Sequence, residues 1–116
     1  MTARTIGLGA LALALASCTA LSGAGDSGAY GQLTDYDVDL AARSLQETLE
    51  SAGDGETRSW RNYMSGNEGA ITPTRTYVSE GGYFCRDYRE RLTVGGDRSE
   101  FSHMACRDEA GRWVWL

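Results

Sequence analysis

Apolar and polar residues follow one another along this chain in three rhythms, and each predicts a different element. From Ile6 to Ala16 stand eleven residues of Ile, Leu, Ala and Gly with no charge among them. Coiled into a helix, such a run rises only about 16 Å, roughly half of a ~30 Å hydrocarbon core, which is too short for an ordinary transmembrane span. From Thr34 onward the spacing changes to threes and fours. Val38, Ala41, Ala42, Leu45, Leu49 and Ala52 fall on one side of a helical wheel, and Asp39, Arg43, Glu47 and Glu50 fall elsewhere. This predicts an amphipathic helix whose apolar stripe is a core face in preference to a partner-binding surface. Thr34 or Asp35 can cap its start, Asp35, Asp37 and Asp39 suit the positive end of its dipole, and Gly53 can close it. Arg43 and Glu47 are spaced for an i, i+4 pair.

Beyond Gly55 the rhythm is that of strands. Trp60, Ile71, Tyr77, Val78, Tyr83, Phe84, Tyr88, Leu92, Val94, Phe101, Trp113, Val114 and Trp115 are mostly β-branched or aromatic. Ser65-Gly66-Asn67, Gly81-Gly82, Gly95-Gly96 and Ala110-Gly111 break them into short runs. Pro73, the single proline, is expected at a strand edge or end. The order of elements predicts an α+β fold: one N-terminal amphipathic helix packed on a small antiparallel sheet of about four strands.

The segment from Phe84 to Arg107 carries the sharpest local expectation. A two-residue turn at Gly95-Gly96 places Val94 opposite Asp97, and the same register places Cys85 opposite Cys106. By parity these two form a non-hydrogen-bonded pair with Cα atoms about 4.5 Å apart, at the short end of disulfide geometry. Tyr88, Leu92, Val94, Phe101 and Ala105 then face the helix, while Asp87, Arg89, Arg91, Thr93, Arg98, Glu100 and Ser102 share the other face with the cysteines. The disulfide is expected as a staple on the solvent side, with Arg91 and Glu100 as a cross-strand pair beside it. Closing a loop of about 22 residues is worth roughly 3 kcal/mol in the chain-entropy model, and less where the hairpin is already local.

The cysteines also decide how the first rhythm is read. Arg4 and the α-amine precede the apolar run and small residues follow it, which are the three parts of a secretory signal. Two cuts compete: Ala14-Leu15-Ala16 fits a general Ala-x-Ala site, and Leu15-Ala16-Ser17-Cys18 fits the bacterial lipobox. The lipobox is the more specific match, since its Cys falls at the end of the apolar run. Of three cysteines, Cys85 and Cys106 pair in an oxidising compartment, which leaves Cys18 for a thioether-linked lipid such as a palmitate-bearing diacylglyceryl group. The expected organisation is a signal peptide at residues 1–17, removed, a lipidated flexible tether at 18–33, and an α+β domain at 34–116. The amino terminus resembles those of bacterial lipoproteins, in which Asp after the Cys commonly retains the protein at the inner membrane; Thr19 stands there instead, and the resemblance favours the outer membrane. The face of that membrane stays open.

Composition narrows the function classes. The formal charge is −5 and all eleven basic residues are Arg, without the basic stripe of a nucleic-acid binder. His103, the only histidine, falls mid-strand on the apolar-leaning face and reads as structural, not as a general base. It has the opposite parity to Cys106, so Cys85, Cys106 and His103 cannot converge on a metal. Gly95-Gly96 lacks the rest of a phosphate loop. Arg86 and Arg107, one residue after each Cys, fall on the helix-facing side and are expected to pair with acidic residues or snorkel at the sheet edge, in preference to holding a ligand.

The strings SWRNYMSGNEGAITPTRTY and CRDYRERLTVGGDRSEFSHMACRDEAGRWVWL resemble the carboxy-terminal domain of the rickettsial-type 17 kDa surface antigen family of bacterial outer-membrane lipoproteins. The shared pattern falls on Trp60, Asn62, Ser65, Gly66, Thr72, Pro73, Cys85, Arg86, Tyr88, Gly95, Gly96, Ala105, Cys106, Arg107, Gly111 and Trp113. Tyr63 stands where many members have Pro, and the glycine-zipper segment common before this domain has no counterpart here. The resemblance implies an envelope protein with no established enzymatic activity; no cofactor is expected, and the lipobox Cys18 is the expected link to membrane lipid. The expected role is a structural or interaction module of the envelope. A first alternative is a binder that inhibits or recruits an envelope enzyme through the exposed hairpin face or the Trp113 and Trp115 region. A periplasmic hydrolase is a more remote one.

Overall fold

The computed structural model describes residues 24–115. Two helices, α1 (Ala24–Gly31) and α2 (Asp35–Ser51), precede five strands: β1 (Arg58–Arg61), β2 (Glu68–Val78), β3 (Phe84–Val94), β4 (Asp97–Arg107) and β5 (Trp113–Trp115). The strands form one antiparallel meander in the order β1-β2-β3-β4-β5. The class is α+β, with two corrections: the sheet has five strands, not four, and the amphipathic helix is the second helix, not the first. The fifth strand, only three residues long, pairs Trp113 with Arg107 and Trp115 with Ala105. Asp108 makes this last turn, its Oδ1 accepting from the N–H groups of Ala110 and Arg112 at 2.9 Å each.

The hairpin has the register expected of it. Gly95 and Gly96 both adopt positive φ, 60° and 89°, the two-residue turn that suits the twist of the flanking strands. Val94 stands opposite Asp97, Arg91 opposite Glu100 and Cys85 opposite Cys106. Pro73, in contrast, lies inside β2 and is fully buried. It is tolerated there because the β2–β3 register shifts between Pro73 and Arg75, and because β1 pairs only as far as Ile71. The Pro73 carbonyl is still used, accepting from the N–H of Gly55 at 2.7 Å.

Helix α2 begins with a capping box in which Thr34 Oγ1 accepts from the Asp37 N–H and the Asp37 carboxylate accepts from the Thr34 N–H. It ends at Ala52, whose N–H donates to the Thr48 carbonyl, so Gly53 is not the cap. The buried stripe is rotated from the expected one: Val38 is 50% exposed and Ala42 lies outside, whereas Asp37 and Thr48 are fully buried. Arg43 pairs with Asp39 at 3.1 Å and not with Glu47, in keeping with the better order of acid before base along a helix.

Two apolar clusters hold the layers together. Leu49 of α2 packs with Ile71, Tyr88, Ala105 and Trp113, and Leu45 leans on them. Trp60, Leu92 and Val94 form the second, covered by Leu40 and Ala41 of α2, by Phe101, and by Ala29, Tyr30 and Leu33. The last three belong to the stretch expected to be a flexible tether. Within that stretch Ala24–Gly31 is helical, and Tyr30 and Leu33 bury apolar surface against the sheet. At Gly69 the absence of a side chain is required. A Cβ there would stand 2.4 Å from Nε1 of Trp60, whose indole lies over the glycine.

Candidate functional site

Strand alternation explains the paired Cys-Arg motifs. Cys85 and Cys106 join on the sheet face away from α2, with a Cα separation of 4.0 Å. The next residue of each strand projects through the opposite face to the end of α2. Arg86 donates to the Leu49 carbonyl at 2.8 Å, to Thr76 Oγ1 at 2.9 Å and to Asp54 Oδ1 at 2.8 Å. Arg107 donates to Glu50 Oε1 at 3.0 Å. Both arginines are thus engaged by acidic partners, and both place positive charge at the negative end of the helix dipole. The hydrogen bonds from Arg107 and the Trp113 indole hold the Glu50 carboxyl below its ordinary range. Those from Arg86 and Thr76 do the same for Asp54. The Gln46 side chain completes the junction, accepting from the Trp113 N–H at 2.9 Å and donating to its carbonyl at 2.7 Å.

The disulfide is less open than the alternation alone implies. Cys85 is 0% exposed and Cys106 5%. Tyr77 and Val114 flank the bond in the same row of the sheet, and Tyr83 and Ser79 of the β2–β3 loop edge a 500 Å³ hollow beside Cys106. The staple expected on the solvent side is therefore roofed by its neighbours.

A buried carboxylate, not singled out by the sequence, organises the other end of the domain. Asp37 is 0% exposed and accepts from Asn62 Nδ2, Ser65 Oγ and Asn67 Nδ2 at 2.7 Å each, and from the Thr34 N–H at 2.8 Å. Burial pushes its pKa up, but the bonds from Asn67, Thr34, Ser65 and Asn62 outweigh that and hold the carboxyl well below its ordinary range. Both amides are used at both ends. Asn62 Oδ1 accepts from the Met64 N–H and Asn67 Oδ1 from the Gly95 N–H, both at 3.0 Å. One carboxylate thereby fastens the start of α2 to the β1–β2 turn and, through Asn67, to the β3–β4 turn.

His103 lies on the helix side of the sheet with the aromatic residues. Its Nε2 is 3.2 Å from Glu90 Oε1 and 3.0 Å from the Tyr30 hydroxyl, which also donates to Glu90. Its ring stacks on Trp115 and Phe101 at centroid distances of 4.9 and 5.9 Å. Glu90 is 7% exposed, so this is a partnered polar pair under the lid of Tyr30. Beside it the Tyr88 hydroxyl takes a hydrogen bond from the Trp115 indole, and burial, with the Glu90 charge adding to it, raises its pKa above the ordinary range. Glu90 had one signal in the sequence, its inward parity between Tyr88 and Leu92. Tyr30 had none, because its partners lie 60 and 73 residues away. Cys18 lies outside the described residues. Among the described residues no three His, Cys, Asp or Glu side chains converge to hold a metal ion, and no helix is long and apolar enough to cross a membrane.

Asn62, Ser65, Cys85, Arg86, Gly95, Cys106, Arg107 and Trp113, the recurrent residues of the motifs, are each engaged in holding this small α+β domain together. They define a small α+β domain fastened at both ends of its long helix. The profile of the 17 kDa outer membrane surface antigen family matches residues 47–114, and the chain belongs to that family. It is 36% identical over 81 residues to the 17 kDa surface antigen of Rickettsia bellii (strain RML369-C), covering 70% of this chain and 51% of that one. To the 17 kDa surface antigen of Rickettsia prowazekii (strain Madrid E) it is 37% identical over 79 residues, 68% of this chain and 50% of that one. The chain thus spans about half the length of the curated relatives it matches. No solved structure matches it.

Proposed function

We propose that this protein is an outer-membrane lipoprotein, anchored by acylation of Cys18, whose folded domain is a non-catalytic structural or interaction module of the envelope. One observation carries the reading: Leu15-Ala16-Ser17-Cys18 ends an apolar run too short to span a bilayer, in a chain of an outer membrane surface antigen family. Small residues before the Cys allow the backbone into a lipoprotein peptidase site, and the sulfur receives the diacylglyceryl group. A single acyl chain gives marginal attachment, and the two on a diacylglyceryl group make it stable. Engagement of Cys85 with Cys106, and of His103 with Glu90 and Tyr30, supports a non-catalytic role, because the residue types most suited to nucleophile and base are occupied within the fold. The alternative of a module that inhibits or recruits an envelope enzyme is kept on the strength of the edge strand β5, where Trp115 is 55% exposed.

Fractionation of cells expressing wild type and Cys18→Ser tests the anchor. The wild type is expected in the membrane fraction, and the variant as soluble protein or uncleaved precursor. Membrane recovery and lipid labelling unchanged by the substitution would overturn it. Crosslinked pull-down separates the two roles, since a single stoichiometric enzyme partner favours the inhibitor.

A further inference from the structure

The sheet face turned away from α2 carries a charge opposite to that of the chain. Arg61, Arg75, Arg89, Arg91 and Arg98 project from it against Glu68, Asp87 and Glu100, in a protein of formal charge −5. Arg61 pairs with Glu68 at 3.4 Å and Arg75 with Asp87 at 3.3 Å. Among the described residues, Arg89, Arg91, Arg98 and Glu100 take part in no ion pair, although Arg91 stands opposite Glu100. Small side chains, Ala70 and Thr72, stand beside these arginines, so that Arg89 and Arg91 border an open hollow of 690 Å³.

We propose that this face docks on the phosphate headgroups of an anionic lipid bilayer. Arg89 and Arg91 stand two residues apart on one strand, so their Cα atoms are about 7 Å apart on a rigid element. Unpaired guanidinium forks match phosphate oxygens in a bidentate way. A protein partner fits less well, because the stretch from Arg89 to Arg98 offers no large apolar anchor on this face, and protein interfaces draw their energy from such anchors. The inference rests on the proposed lipid anchor only for keeping a bilayer near.

Flotation of the full chain with vesicles of phosphatidylcholine, alone or with phosphatidylglycerol, tests it. An acyl chain or apolar segment binds both kinds, whereas the arginines add binding only to the anionic kind. Each arginine near such a surface is worth about fivefold, so the anionic gain should reach tens of fold and vanish in high salt. Arg91→Ser should lower the gain about fivefold, and Arg89→Ser with Arg91→Ser and Arg98→Ser should abolish it while leaving the thermal melt unchanged. Arg43→Ser, on the exposed side of α2, should keep it. Equal partitioning onto both vesicles would overturn the proposal, as would a gain that survives loss of the three arginines, or binding of an acidic protein with no anionic gain. If the triple variant does not fold, Arg91→Ser against Arg43→Ser decides alone. Failure of the anchor reads out separately, as lipid labelling unaffected by Cys18→Ser.

Discussion

Replacing Asp37 should be among the most damaging single changes in the domain. Its carboxylate accepts four hydrogen bonds, two of them from amides that are themselves buried, Asn62 at 3% and Asn67 at 6% exposure. The exposed donors of Thr34 and Ser65 can return to water when the carboxylate is removed; the two amides cannot. A buried donor left without a partner costs about 1–3 kcal/mol, so Asp37→Ala should lose roughly 3 kcal/mol from the amides together. For a domain of this size that lowers Tm by about 15 °C. Asp37→Asn should cost nearly as much despite its equal size, because its NH2 group meets donors. The pH dependence carries the same signature. A carboxyl held below its ordinary range in the folded state binds fewer protons there than in the unfolded chain. Its stabilisation is full above the unfolded pKa near 4 and is lost as pH falls below it. Thermal unfolding followed by circular dichroism between pH 7 and pH 2 should show a shallower acid loss for Asp37→Asn than for wild type. A fall in Tm of less than about 3 °C at pH 7 for either variant would refute the keystone role of this carboxylate.

Two further variants test the packing. Cys85→Ala with Cys106→Ala should lose about 2–3 kcal/mol in chemical denaturation, and non-reducing peptide mapping of the native protein should recover the two cysteines linked; free thiols at both would contradict the staple. Gly69→Ala should cost about 1–3 kcal/mol, read as a lower denaturation midpoint, because its methyl group would drive the Trp60 indole from its seat.

The parts of the fold visible in the sequence are those set by local alternation. In the β3–β4 hairpin the Gly95-Gly96 turn, the strand parity and the facing of Cys85 and Cys106 are independent signals that agree. The helix was visible as a period but not in its rotation. Val38 and Ala42 fit an apolar wheel, whereas the residues turned inward include Asp37 and Thr48. An aspartate reads as surface unless its partners are known, and those of Asp37 come from 25 to 30 residues downstream. Separations of 60 and 73 residues hid the helix α1, whose glycines and small residues resemble a tether until Tyr30 meets Glu90 and His103. β5 is three residues long and declares itself only against β4. Arg86 and Arg107 were legible as a pair on one face, and their task at the end of α2 follows once Leu49 and Glu50 are placed.

Mass spectrometry of the amino-terminal peptide from the protein purified out of bacterial membranes bears most directly on the lipoprotein assignment. The expected mature chain begins at Cys18 and carries a diacylglyceryl thioether on its sulfur. A mature chain that begins at Ser17, or one in which Cys18 keeps a free thiol, would contradict it.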